Sequence, residues 1–411
     1  MKNSKLRLNG NIVLSICFLI ILTGFIGPIE NNLSIFQKKF NYEGTNSLYV
    51  GKTDYFDFRW ITNLEDEGIY EITDINNRVL LSGETEKSRS HKIKLESELE
   101  TPFNFRFGGK KQGMHQVRIR TGFELNNTNY KKVDSVYIIG DVHGRYDQLI
   151  NLLSASKIID ENLNWIAGKA HIVFLGDLFD RGDDVTKVLW FIHELEEKAA
   201  KAGGKSHLVL GNHEIMTMTK DLRYLSRKEN SIAIAHGLSY DVLFHPLNSY
   251  LGAWLRSKVS LLKIDQMVMA HGGILDIGPI SLEEFNNKAH YFMQEPMYLD
   301  MMKDDPDSTR YDPIHWYEMR SFFYHRESPY WYRGYVNYDT LGPQLNAMLK
   351  KHNSKFHVVA HTPLETITQK YEGKLLTTDL NDAATQLLLM VRQRNKYKRF
   401  KIDSEGIKSE L

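Results

Sequence analysis

Val136-Tyr137-Ile138-Ile139-Gly140-Asp141-Val142-His143-Gly144 is the stretch from which the rest of the chain is best read. An apolar run ends in a turn carrying an aspartate and a histidine two positions apart, and a helical pattern follows from Arg145 to about Ile159. An apolar strand that delivers carboxylate and imidazole groups at its C-terminal end is how α/β sheets build sites. Both side chains are ligands for divalent metals. One Asp-x-His string says little by itself, but the arrangement recurs in four more places. Ile172-Val173-Phe174-Leu175 leads into Gly176-Asp177-Leu178-Phe179-Asp180-Arg181-Gly182, and Leu208-Val209-Leu210 into Gly211-Asn212-His213-Glu214. Met267-Val268-Met269-Ala270 leads into His271-Gly272-Gly273, and Val358-Val359-Ala360 into His361-Thr362-Pro363. Glycine stands where backbone must turn or approach closely.

The candidate ligands are Asp141, His143, Asp177, Asn212, His271 and His361. Six nitrogen and oxygen donors, one a carboxylate able to bridge, suit two divalent ions about 3.5–4 Å apart. The lone cysteine, Cys17, lies far from these clusters, so thiolate sites are excluded and Mn, Fe, Zn or Co remain. A water shared by two such ions is acidified enough to give hydroxide near neutral pH, and in-line attack on phosphorus then needs no protein nucleophile. His213 is left as a proton donor to the leaving oxygen, with Asp180 orienting its ring. Arg181 offers a planar fork for phosphate oxygens. Glu214 is expected to support the turn and not to bind metal.

Taken together, residues 140–144, 176–182, 211–214, 271–273 and His361 resemble the signature of the phosphoprotein phosphatase branch of the calcineurin-like metallophosphoesterases. The motifs follow one another in the expected order across about 133–380. The resemblance implies one metal held by Asp141, His143 and Asp177, and a second held by Asp177, Asn212, His271 and His361. It assigns His213 as proton donor backed by Asp180, and Arg181 as a phosphate clamp, with Asn212 also at the phosphate. Trp331-Tyr332-Arg333-Gly334-Tyr335 resembles the matching segment of the bacterial Shewanella-like protein phosphatases, which makes Arg333 the second clamp. The fold it implies is an α/β metallophosphoesterase: a β-sandwich flanked by helices, with the site at its strand ends. Two departures stand out: Phe179 replaces a common valine, which reads as a packing change, and a β-rich region precedes the catalytic unit.

The chain has 411 residues, too many for one small core, with 42% hydrophobic and 25% charged residues, as in ordinary folded proteins. Lys+Arg number 52 and Asp+Glu 51, so no global field favours nucleic acid. At the N-terminus Lys2, Lys5 and Arg7 precede Ile12 to Gly27, a run without charge. Residues 1–30 are therefore expected to be a signal sequence or a membrane anchor, with 31–46 a tether. Either reading makes the membrane a partner and puts the catalytic part in the cell envelope, outside the cytoplasm. Residues 47–121 show short alternating runs such as Tyr55 to Ile61 and Phe103 to Phe107, the pattern of a small immunoglobulin-like β-sandwich. A linker at 122–132 leads to the catalytic domain at 133–411. There the alternation of strands (about 135–140, 171–176, 207–210, 266–270, 356–360 and 375–379) with helices suggests by itself one α/β sheet. Residues 281–330, rich in Met, Tyr and Trp, read as a cap of helices and loops.

The expected function is dimetal-dependent hydrolysis of a phosphomonoester, on a phosphorylated protein. One alternative is a dinucleoside polyphosphate or other small phosphoester as substrate. Another is an envelope-tethered binding protein without catalysis.

Overall fold

The computed structural model describes residues 47–52, 55–95, 99–303, 306–394 and 396–411. The expected signal or anchor and its tether lie outside these residues. Among the described residues no helix is long and apolar enough to cross a membrane.

The first five strands are β1 (Leu48–Lys52), β2 (Phe56–Thr73), β3 (Val79–Leu95), β4 (Phe103–Gly109) and β5 (Gly113–Ile119). They form one antiparallel sheet, not the two facing sheets expected from the strand spacing. β3 runs along one edge of the long β2, while β1 and β4 share the other. Alternate residues Phe56, Phe58, Trp60, Phe103, Phe105 and Phe107 are buried, and the rings of Phe58 and Phe105 stack at 4.1 Å. A second sheet is unnecessary because this face shares its core with the helices of the catalytic unit, including Trp190, Tyr250 and Leu251. Trp190 Nε1 donates to the Leu48 carbonyl at 2.8 Å, and Arg59 Nη1 to the His236 carbonyl at 2.6 Å. Alternation along one strand reports that one face is covered; it does not report by what.

The remaining strands make two six-stranded sheets, where the βα rhythm alone suggested one and the resemblance two. They are β6 (Asn129–Tyr130), β7 (Ser135–Ile139), β8 (His171–Phe174), β9 (Lys205–Leu208), β10 (Leu261–Ile264), β11 (Met267–Ala270), β12 (Phe356–Val359), β13 (Thr368–Lys370), β14 (Leu375–Thr377), β15 (Gln386–Gln393), β16 (Lys396–Asp403) and β17 (Lys408–Glu410). One sheet has the order β17-β16-β15-β7-β8-β9 and the other β13-β14-β12-β11-β10-β6. Both are mixed: β7, β8 and β9 run parallel, as do β11, β12 and β14, with antiparallel strands beside them. The period of two explains the sandwich. Val136, Ile138, Val173, Leu388 and Met390 from one sheet meet Leu262, Ile264, Met267, Met269, Val358 and Leu376 from the other in a single apolar cluster. Their neighbours Ile139, Ile172, Phe174, Val268 and Val359 point the other way, into the core shared with the helices. Strands buried on both faces read as unbroken apolar runs, which is how these appear in the sequence.

Helices α1 (Tyr146–Ala155) and α2 (Val185–Lys201) follow β7 and β8. The short α3 (Asn212–Met218) opens on the third cluster, and α4 (Arg227–Ala235), α5 (Tyr240–Leu243) and α6 (Tyr250–Arg256) lead to β10. In the region expected to form a cap, α7 (Leu282–Phe292) and α8 (Pro313–Tyr324) are joined by loops and a 3₁₀ turn, with no strand among the described residues. The antiparallel run β15 to β17, beyond the strands expected from the sequence, completes one sheet beside β7.

Candidate active site

The five clusters meet at the C-terminal ends of β7, β8, β9, β11 and β12. His143, Asp177 and His213 place ligand atoms within 4.8 Å of one another, and so do Asp177, His271 and His361. Asp177 belongs to both groups, as a bridging carboxylate must. Asp141 joins through His143 Nε2, 3.4 Å from its Oδ2, and accepts from the His361 backbone N–H at 3.2 Å. Asn212 Oδ1 lies 2.9 Å from His271 Nε2. All six expected ligands are therefore brought together, and all are buried.

The backbone is bent to achieve this. His143, Asp177, Asp180, Arg181 and His361 have φ of 47°, 52°, 67°, 64° and 64°, the left-handed region that side chains other than glycine seldom adopt. Each costs on the order of 1 kcal/mol, and such strain gathers where geometry serves a site. Gly176, at φ 86°, has no room for a side chain, since a Cβ would stand 2.4 Å from the Gly211 nitrogen. Glu214 fastens the two turns together: its carboxylate accepts from the backbone N–H groups of Asp177 (2.8 Å), Leu178 (2.7 Å) and Gly211 (2.7 Å). That is the supporting role expected for it. Phe179 is fully buried edge-on to Phe244 at 4.8 Å, a packing position.

The donor set fits cations. Three acceptor atoms crowd the single nitrogen His271 Nε2: Asn212 Oδ1 at 2.9 Å, His361 Nδ1 at 3.1 Å and Asp177 Oδ2 at 3.2 Å. One proton cannot serve three acceptors. His143 Nε2 and His361 Nε2 are buried without a hydrogen-bond partner. His143 Nδ1 and His271 Nδ1 lie at the carbonyls of Phe179 (2.7 Å) and Leu175 (2.6 Å), contacts that fix each ring and leave its Nε2 for a metal. The electrostatics agree. Burial opposes charge on His271, yet Asp177 and Asp141 carry its pKa up to about 10. Asp177 is buried as well, but the imidazoles around it, His271 first, hold its carboxyl well below the usual range.

His213 stands beside the cluster. Its Nδ1 is 2.6 Å from Asp180 Oδ2, and its Nε2 faces Asp177 Oδ2 at 3.7 Å. Burial disfavours the imidazolium, but Asp177 and then Asp180 raise its pKa above the ordinary value. Arg181 is exposed at the rim, close enough to add its field to His213 and Arg333. Arg333 Nη1 donates to the His361 carbonyl. Its segment is laid against the fourth cluster by two backbone bonds, Gly272 N–H to Pro329 O (2.7 Å) and Gly273 N–H to Tyr332 O (2.8 Å). A Cβ on Gly272 would meet the Pro329 carbonyl at 2.9 Å, so the pair of glycines lets Arg333 reach the site.

Two residues at the site were not singled out in the sequence. Asp379 follows β14, is 4% exposed, and has its pKa pushed up to about 8 by burial and by Asp141. Its signal was present, an aspartate at the end of an apolar strand, but without an accompanying histidine or glycine. Tyr224 sits 5.4 Å from the His213 ring and is half exposed; nothing in its local sequence marks it.

A sequence profile described as calcineurin-like phosphoesterase matches residues 135–365. Shewanella-like protein phosphatase 1 of Plasmodium berghei is 27% identical over 252 residues, 58% of this chain and 66% of that protein. The symmetrical bis(5'-nucleosyl)-tetraphosphatase of Wigglesworthia glossinidia brevipalpis is 34% identical over 145 residues, 34% of this chain and 45% of that protein. This chain thus spans two thirds or less of those curated relatives. The crystal structure of a cold-active protein-tyrosine phosphatase of a psychrophilic Shewanella superposes with a TM-score of 0.68 at 25% identity, covering 89% of this chain and 98% of that one. Residues 133–411 alone cannot supply that coverage, so the match reaches into the N-terminal sheet.

Proposed function

The chain belongs to the calcineurin-like phosphoesterase family, a family of hydrolases, and we propose that it is a phosphatase acting on phosphorylated protein. The observation that carries this reading is the pair of ligand groups sharing Asp177, with His213 and Asp180 beside them and two arginines at the rim. Asp141, His143 and Asp177 are suited to one divalent cation, and Asp177, Asn212, His271 and His361 to a second (Mn, Fe or Zn). When bound, such cations supply an acidified water and draw charge from phosphoryl oxygens. The chain's own residues do the rest. Arg181 and Arg333 grip the phosphoryl oxygens through their forks, with the Asn212 amide beside them. Asp180 holds the ring of His213 by Nδ1, leaving Nε2 to give its proton to the departing oxygen. Against the effect of burial, Asp177 and Asp180 raise the pKa of His213, and this favours the protonated ring.

Protein substrates are favoured by the likeness to the Shewanella protein-tyrosine phosphatase over nearly its whole length. A second reading, hydrolysis of dinucleoside polyphosphates, draws on the similarity to the tetraphosphatases, which covers only 34% of this chain. Rates on phosphotyrosyl and phosphoseryl peptides and on diadenosine tetraphosphate, with Mn added, separate the two. The first predicts kcat/KM at least tenfold higher on a phosphopeptide; the reverse order supports the second. The envelope location rests on the uncharged run Ile12 to Gly27 behind Lys2, Lys5 and Arg7, and fractionation of cells expressing the full chain tests it.

A further inference from the structure

The strands that carry Asp141, Asp177 and Asn212 at one end open at their other end onto a recess of about 450 Å³. Its walls come from the segment before β7 (Tyr130 to Ser135), the loop before β8 (Ala167 to His171) and the start of β9 (Gly203, Lys205). Four lysines line it, Lys131, Lys132, Lys169 and Lys205, all exposed and without an ion-pair partner among the described residues. The two carboxylates nearby are already engaged. Asp134 accepts from Arg392 at 2.6 Å, and Asp265 accepts from the backbone N–H groups of Lys132 and Val133 and from the Tyr397 hydroxyl. Asp265 keeps its negative charge and its field reaches His171, but against four lysines the recess retains a surplus of positive charge.

One wall group is built in, not merely solvated. His171 is 7% exposed and lines the recess. Its Nδ1 lies 3.0 Å from His207 Nε2, while its Nε2 has no partner among the described residues. The Tyr130 ring packs edge-on against both imidazoles, at 5.5 and 4.7 Å, and Lys205 Nζ lies 5.6 Å from that ring. The stem of Lys169 runs over Gly203, whose φ of 80° turns the loop, with Lys169 Cγ 3.6 Å from where a Cβ would stand. Tyr130, Lys169, His171 and Lys205 are thus held in relation to one another by packing.

We propose that this recess is a binding site for a small multivalent oxyanion of the phosphate class, separate from the metal cluster. Four lysines lining one concave site match a compact anion of two or more charges. A polymer or a membrane would call for the same charges spread along a flat or extended face. His171, a buried lining residue, adds a hydrogen-bonding group. From His171 to Asp177 the chain runs six residues, about 20 Å if extended, so the two sites do not share a ligand. The proposal does not depend on the catalytic reading, because it concerns the opposite ends of the strands.

Calorimetric titration of the metal-loaded full chain with pyrophosphate at fixed ionic strength tests it. Wild type is expected to bind two equivalents, one at the cations and one in the recess. Lys169→Glu combined with Lys205→Glu should lose the second event, its affinity falling at least tenfold while the first is kept. Lys350→Glu with Lys374→Glu, the same charge change on another surface, should keep both. The proposal is overturned if wild type and the recess variant give the same isotherm, or if the control pair weakens binding as much as the recess pair does. Repeating the titration with orthophosphate shows whether the smaller ion suffices; binding of neither anion to the recess also overturns it.

Discussion

His213 shows how a side chain with ordinary chemistry acquires a role from its neighbours. Asp180 takes one ring nitrogen at 2.6 Å, Asp177 faces the other at 3.7 Å, and both raise the pKa that burial would lower. His213→Asn is expected to cut kcat by about 10²- to 10⁴-fold on a phosphopeptide. Metal content, measured by elemental analysis, should be unchanged; unaltered turnover would remove His213 from the mechanism. The sequence made this residue visible because Asn212-His213-Glu214 closes an apolar strand. It made all six candidate ligands visible for the same reason: an abrupt change from apolar to ligand-type residues marks a strand end. Tyr224 and Asp379 escaped because their place at the site is set by tertiary packing, not by a local pattern.

At the scale of elements, α4 is tied to the first turn of α2 by one buried carboxylate. Glu229 is fully buried and accepts from the Thr186 N–H at 3.1 Å and its hydroxyl at 2.7 Å. Burial pushes its pKa from the ordinary 4.5 up to about 7. Between those values the folded chain holds a proton that the unfolded chain has released. Stability is therefore highest at and below pH 4.5 as far as this group is concerned, falls as pH rises to about 7, and is flat above. The full difference is on the order of 3 kcal/mol. Glu229→Gln should raise the melting temperature relative to wild type at pH 8 and converge with it near pH 5. A wild-type and variant pair that differ equally at both values would contradict this.

Elements also show where sequence reading stops. The strands β7, β8, β11 and β12 fall close to their expected positions because both faces are buried and the runs are unbroken. β9 begins two residues before its expected position, because Lys205 and Ser206 have the composition of a loop. The strands β15 to β17 are not among those expected: in β16, paired on both sides, Lys396 to Asp403 alternates basic and partly buried residues, and charge masks the period there. The number of sheets is not a local property at all: it follows from which alternate faces meet, and Val136 against Leu262 is a pairing of distant segments.

For the whole molecule, the N-terminal sheet and the catalytic unit share one core, so the boundary near residue 122 separates patterns and not independently packed bodies. Trp60, fully buried with its Nε1 bonded to the Gly108 carbonyl, lies on the sheet face of that core. Trp60→Ala should destabilise the protein by about 3–5 kcal/mol. Calorimetry should show one transition that moves as a unit; two transitions, only one of them shifted, would contradict a shared core.

The two candidate ligand groups share one carboxylate, Asp177, in a cluster whose acceptors outnumber its protons. Equilibrium dialysis against Mn(II), followed by elemental analysis, reads this directly. The account predicts close to two ions per chain for wild type and fewer than one for Asp177→Asn with its helical circular dichroism preserved. A wild-type chain that retains no metal, or a variant that retains as much as wild type, would contradict it.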